Sequence, residues 1–162
     1  MARVLDGTGP GIELEIPARP EYIGLARLVV SSLASSRRRL ADDRIHDLKL
    51  AVSEACTNAI EVHAGLDIDE RVRLRWFEGD DRLEVAIEDC GPGFDPAALP
   101  AHPPVTDPER LNFERGLGIP LIRTLVDRVD FAPSSAGTSV RMVMYCGPAN
   151  DPEADLADEA QD

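Results

Sequence analysis

Between Arg71 and Glu88 the chain alternates with a period of two. Val72, Leu74 and Trp76 interleave with Arg71, Arg73 and Arg75, and after Gly79-Asp80 come Leu83, Val85 and Ile87 interleaved with Arg82, Glu84 and Glu88. Successive side chains of a strand point to opposite faces, so the pattern predicts an antiparallel hairpin with one apolar and one charged face. A hairpin alone is marginal in water. Its apolar face has to be covered, and the rest of the chain must supply both further strands and the covering layer.

Ile12, Leu14 and Ile16 alternate with Glu13 and Glu15 and are closed by Pro17, which predicts an edge strand. From Pro20 to about Ser35 the apolar residues Ile23, Ala26, Leu28, Val29, Val30 and Leu33 fit one helix, ended by the run Arg37-Arg38-Arg39. Asp42 or Asp43 can cap a second helix, in which Ile45, Leu48, Ala51, Val52, Ala55, Ala59 and Ile60 recur at helical spacing up to Gly65. A third helix is predicted from Ile119 to about Asp127, with Pro120 in its first turn. Strands at roughly Arg128 to Phe131 and Gly137 to Tyr145, joined by a turn after Pro133, complete the pattern. The expected fold class is α+β: a two-layer sandwich, one mixed or antiparallel sheet covered on one face by three helices. Residues 12–146 are expected to form a single domain, with a loose N-terminus at 1–11 and a disordered acidic tail at 147–162.

Composition closes several routes. A net charge of −13 repels a phosphate backbone, so direct nucleic-acid binding is not expected. No apolar run approaches the roughly 18 residues of a membrane helix and no signal pattern opens the chain, which predicts a cytoplasmic protein without membrane contact. Cys56, Cys90 and Cys146 are odd in number and lack CxxC or Cys/His spacing, so they read as buried thiols rather than a disulfide framework or zinc site.

Three stretches carry residues suited to chemistry. Glu54 and Asn58, four apart on the second helix, lie one above the other; the pair reads either as a solvated face or as hard oxygen donors for a divalent metal and a hydroxyl. Asp89, at the end of a strand and followed by Gly91 and Gly93, reads either as a turn or as a rigid acceptor for a ligand amine beside a backbone that a flat ring can approach. Some twenty residues with Pro96, Pro100, Pro103, Pro104 and Pro108 follow, as in a lid. They close on Arg115-Gly116-Leu117-Gly118 at the start of the third helix, either a linker or an anion cradle.

In order and spacing, the Glu-x-x-x-Asn helix, the strand-ending Asp89 to Asp95, the lid and the glycine-rich helix start resemble the GHKL (Bergerat-fold) ATPases, which include histidine kinases and gyrases. The stretches Glu54-Ala-Cys-Thr-Asn58-Ala59 and Glu114-Arg-Gly-Leu-Gly118, with Gly137-Thr138 before the last strand, resemble more closely the RsbW-like anti-sigma-factor serine/threonine kinases. The resemblance implies that Asn58 ligates Mg²⁺ bridging the phosphates of ATP and that Glu54 is the general base. It implies that Asp89 accepts from the adenine amino group, with Gly91, Gly93 and Thr138 lining the base pocket, and that Arg115, Gly116, Leu117 and Gly118 hold the phosphates. The partners it implies are an alternative sigma factor, sequestered by the chain, a STAS-type anti-anti-sigma factor, phosphorylated on serine or threonine, and a second copy in a homodimer. Two other functions stay open on the same residues: a non-catalytic ATP-binding regulatory module, and a detached histidine-kinase catalytic domain. The chain departs from the family at Val62, which stands where an N-box histidine is usual, so that neighbouring His63 is given no role; His46-Asp-Leu-Lys49 resembles a phosphoacceptor box but shares its helix with Glu54.

Overall fold

The structure, a computed structural model, describes residues 11–36, 38–62, 70–89, 118–134 and 137–147. Strand β1 is Ile12–Pro17; a single 3₁₀ turn at Pro20–Tyr22 leads into α1, Ile23–Ser36, and then α2, Asp42–Val62. Strands β2 (Arg71–Glu78) and β3 (Arg82–Glu88) form the expected hairpin, followed by α3 (Gly118–Leu125), β4 (Arg128–Ser134) and β5 (Gly137–Tyr145). The five strands are ordered β1-β2-β3-β5-β4, and every neighbouring pair is antiparallel. The α+β reading is correct, with the sheet antiparallel throughout and β1 on its edge.

Register carries the alternation across the whole sheet. Leu14 pairs with Leu74, Leu74 with Ile87, Trp76 with Val85, Val85 with Met142, and Met142 with Val129, so one face is continuously apolar. Helix α2 lies against that face and packs on α1 and α3. Its residues Ile45, Leu48, Ala51, Val52, Ala55, Ala59 and Ile60 are all buried, as the 3.6-residue period requires of a helix with one stripe inward. Asp42 and Asp43 do not precede α2 but stand in its first turn, where negative charge complements the exposed N–H groups; Asp43 Oδ1 accepts the Arg44 N–H at 2.8 Å.

Two local features go beyond what the periodicity decides. In α1 the buried stripe is Ala26, Val30 and Ala34, while Leu28 is 63% exposed, because it lies two residues from both Ala26 and Val30 and therefore about 200° round the helix. Arg39, in the run that follows α1, is buried. Its Nε donates to Gly147 O at 3.0 Å and its Nη2 to Asp80 O at 2.6 Å, tying the α1–α2 link to the β2–β3 turn and to the end of β5.

The charged face of the sheet has no second layer among the described residues and is covered by its own side chains. Arg73 donates to Glu15 at 2.8 Å, Arg75 to Glu13 at 3.2 Å and to Glu88 at 3.4 Å. Glu84 is buried beneath this layer, accepting from Arg82 Nε at 2.6 Å and Arg141 Nε at 2.9 Å. The apolar stems of the arginines cover the backbone while their heads stay in contact with water and carboxylates.

Candidate active site

One half of the site is set by the sheet. The inward series of β3 is Leu83, Val85 and Ile87, and Asp89 continues it one step past the strand end; the inward series of β5 runs Met144, Met142 and Val140, and Thr138 continues that. Both residues therefore stand on the helix-bearing face. The β3–β5 register joins Glu88 to Ser139, and the ladder extends by one bond, from the Asp89 N–H to the Thr138 carbonyl at 3.0 Å. Asp89 is 9% exposed and Thr138 4% exposed. Beside them Gly137 has φ 138°, a backbone conformation that a Cβ would strain. The Thr138 hydroxyl is buried with no hydrogen-bond partner among the described residues. A buried hydroxyl left without a partner costs about 1–3 kcal/mol, so this is a group that a bound ligand would satisfy.

The other half is set by α2 and α3. Glu54 and Asn58 are half-buried on one face of α2, four residues apart. The first residue of α3, Gly118, sits directly over them: a Cβ built on it would lie 3.1 Å from Asn58 Nδ2, 3.1 Å from Asn58 Oδ1 and 3.2 Å from Glu54 Oε2. The start of α3 thus stands beside a carboxylate and a carboxamide, and the open N–H groups of a helix start favour negative charge placed near them. Nearby hydroxyls are committed elsewhere, since Ser53 donates to Lys49 O at 2.9 Å and Thr57 to Ser53 O at 2.8 Å. Cys56, between Glu54 and Asn58 in sequence, points into the core; burial pushes its thiol up to about 12, which keeps it protonated and inert as a nucleophile.

Of the residues singled out in the sequence, the structure brings Glu54, Asn58 and Gly118 together on one side and Asp89 and Thr138 on the other. Gly91, Gly93, Arg115, Gly116 and Leu117 lie outside the described residues, as do His63, Cys90, the proline-rich stretch and both ends of the chain. The seat of Gly118 on Asn58 and Glu54 had no signal in the sequence, because the contact spans some sixty positions and depends on the α2–α3 crossing.

Among the described residues no group of three or more His, Cys, Asp or Glu is arranged to hold a metal ion. A magnesium ion needs no such cage, being held commonly by one or two protein oxygens together with substrate phosphates and water. The oxygens of Glu54 and Asn58, Gly118 at the start of α3 and the Thr138 hydroxyl, partnerless among the described residues, fit a magnesium nucleotide. No helix among the described residues is long and apolar enough to cross a membrane.

The sequence model of one family, described as a histidine kinase-like ATPase domain, matches residues 16–144. The chain is 43% identical over 139 residues to a protein of Bacillus velezensis named serine-protein kinase RsbW, covering 83% of this chain and 84% of that one. It is 41% identical to the Bacillus subtilis protein of the same name, with the same coverage, and 38% identical to that of Staphylococcus epidermidis, covering 87% of this chain and 90% of the relative. Among solved structures, the RsbU and RsbW domains of Rv1364c from Mycobacterium tuberculosis superpose with a TM-score of 0.60 at 16% identity, over 87% of this chain and 34% of that one, a likeness of fold.

Proposed function

We propose, on the premise that the chain belongs to the histidine kinase-like ATPase family and is a serine-protein kinase of its RsbW branch, that it is an anti-sigma factor. It sequesters an alternative sigma factor and phosphorylates a STAS-type anti-anti-sigma protein, so that the two partners exchange. The observation that supports this reading best is the approach of Gly118 to Asn58 and Glu54, which sets a helix N-terminus over a carboxylate and a carboxamide.

When bound, Mg-ATP would supply the phosphoryl group, with the metal's charge offsetting that of the phosphates. The Asn58 carboxamide oxygen would be the protein's donor to that metal. Glu54 Oε2 takes the proton from the acceptor hydroxyl as its oxygen attacks, a contribution of about 10²- to 10⁴-fold. The N–H groups at the start of α3 orient the phosphates, with Arg115, Gly116, Leu117 and Gly118 as the holding segment. Asp89 would accept from the base amine, the Thr138 hydroxyl, partnerless among the described residues, would gain its hydrogen bond beside it, and Gly91 and Gly93 would line the ring. Positioning and charge neutralisation carry most of such a reaction, so few side chains suffice.

The test is transfer of labelled γ-phosphate from Mg-ATP to a recombinant STAS-domain protein of the same genome, with phosphoserine or phosphothreonine read by mass spectrometry. Glu54→Gln is expected to lose at least about 100-fold in rate while still binding ATP. Asn58→Ala is expected to lose magnesium-dependent transfer. Wild-type rates in Glu54→Gln would overturn the assignment of the base, and absence of transfer by the unmodified chain would overturn the kinase reading itself.

A further inference from the structure

The row of α2 that carries Glu54 and Asn58 does not stop at them. His46, Leu50, Glu54 and Asn58 are spaced four apart, so each stands one turn, about 6 Å, from the next, with a drift of about 40° round the axis. The two members before Glu54 are turned to solvent: His46 is exposed and Leu50 is 37% exposed, whereas Ala51, Val52 and Ala55 beside them are fully buried. Among the described side chains of α2, Leu50 is the large apolar one that the core does not use. A single exposed leucine is ordinary on a protein surface. Leu50 differs by its place, one turn from the carboxylate to which an acceptor hydroxyl must be brought.

We infer that Leu50, with His46 behind it, is the apolar anchor for the serine-bearing segment of the acceptor protein, and so a determinant of acceptor specificity. The inference rests on the kinase reading above. An extended acceptor segment advances about 6.6 Å in two residues and turns residues i and i+2 to the same side, which matches one step of the helix row. A serine held at Glu54 therefore puts the residue two positions away onto Leu50. Asp47 and Glu61 lie seven residues either side of Glu54, two turns away on the same face, and both are carboxylates. Glu61 disfavours an acidic segment, while Asp47 is partly offset by Arg44, whose Nη1 stands 3.9 Å from it. The acceptor stretch is therefore neutral or basic, with an apolar residue two positions from its serine.

The experiment uses the full chain, Mg-ATP and the recombinant STAS-domain protein of the transfer assay as acceptor. Leu50→Asp is expected to raise KM for the acceptor by about tenfold or more, since a half-exposed leucine that becomes buried contributes about the 1.4 kcal/mol this factor represents. It should leave kcat and the ATP dissociation constant within about twofold, while Leu50→Met restores the wild-type KM. Leu50→Ala moves KM in the same direction by a smaller factor and decides the matter if the charged variant fails to bind ATP. An unchanged KM in both variants, or a fall in kcat at unchanged KM, would overturn the inference while leaving the kinase reading intact. No transfer by the unmodified chain would overturn that reading instead, and is seen before any variant is made.

Discussion

Adding one methyl group at Gly118 tests how closely α3 is seated on the pair Glu54–Asn58. In Gly118→Ala the new Cβ would stand 3.1 Å from both amide atoms of Asn58 and 3.2 Å from Glu54 Oε2. Ordinary contact for such a carbon begins near 3.5 Å, so the shortfall is about 0.4 Å. Asn58 and Glu54 belong to a helix buried along its other side, and the relief must come from their side chains or from a slight lift of α3. A misplacement of 1 Å can cost about 100-fold in rate; scaled to 0.4 Å the expected loss is about five- to tenfold in kcat. Stability should hardly change, because alanine gains up to about 1 kcal/mol over glycine in a helix and the crowding offsets that gain. Steady-state transfer kinetics and a melting curve on the same preparation decide the case. A variant with wild-type kcat would show that Asn58 and Glu54 are not held where α3 can press on them. A variant that loses melting temperature together with activity would show that Gly118 serves packing rather than the site.

Three other outcomes follow from the packing. The Cys56 thiol titrates near 9.0 when unfolded and is pushed up to about 12 by burial, so above pH 9 the unfolded chain releases a proton that the folded chain keeps. Stability is then full below pH 9 and falls as pH rises, by about 1.4 kcal/mol between pH 8 and pH 10; Cys56→Ala should remove that part of the slope in urea titrations at the two pH values. Glu84→Ala leaves Arg82 and Arg141 facing each other without their shared carboxylate, and should cost about 2 kcal/mol, read as a lower urea midpoint at unchanged m. Arg38 has φ 48° just past the end of α1, where glycine carries no Cβ penalty, so Arg38→Gly should gain about 1 kcal/mol and raise the melting temperature by about 2–4 °C.

What the sequence made legible is what local period decides. Alternation at Val72, Leu74 and Trp76 fixes which side of β2 is buried before any partner strand is known, and the spacing from Ile45 to Ile60 fixes the inward side of α2 in the same way. Leu28 shows the limit of that rule: apolar residues crowd α1 on more than one side, and only the neighbour against which Ala26, Val30 and Ala34 close decides which side is inward. Arg39 shows a second limit. In a run of three arginines nothing marks one for burial, since its partners are the carbonyls of Asp80 and Gly147, brought to it by the sheet from distant parts of the chain.

The same distinction runs through the site. Glu54 and Asn58 are legible as a pair because four residues on a helix are one turn, whatever surrounds them. Asp89 and Thr138 are far apart in sequence and become neighbours only through the β3–β5 register. A slip of one residue would turn Thr138 to the charged face and separate it from the helices, because side chains alternate with a period of two. Glu84 bears on this register. Buried between Arg82 of its own strand and Arg141 of β5, it keeps Arg141 only in the observed pairing, in which Ala86 stands opposite Arg141 and Glu88 opposite Ser139. A slipped pairing would turn Arg141 to the other face and leave the buried carboxylate with Arg82 alone, at a cost of about 1–3 kcal/mol. The charged face thus helps to hold the strand ends on which Asp89 and Thr138 stand.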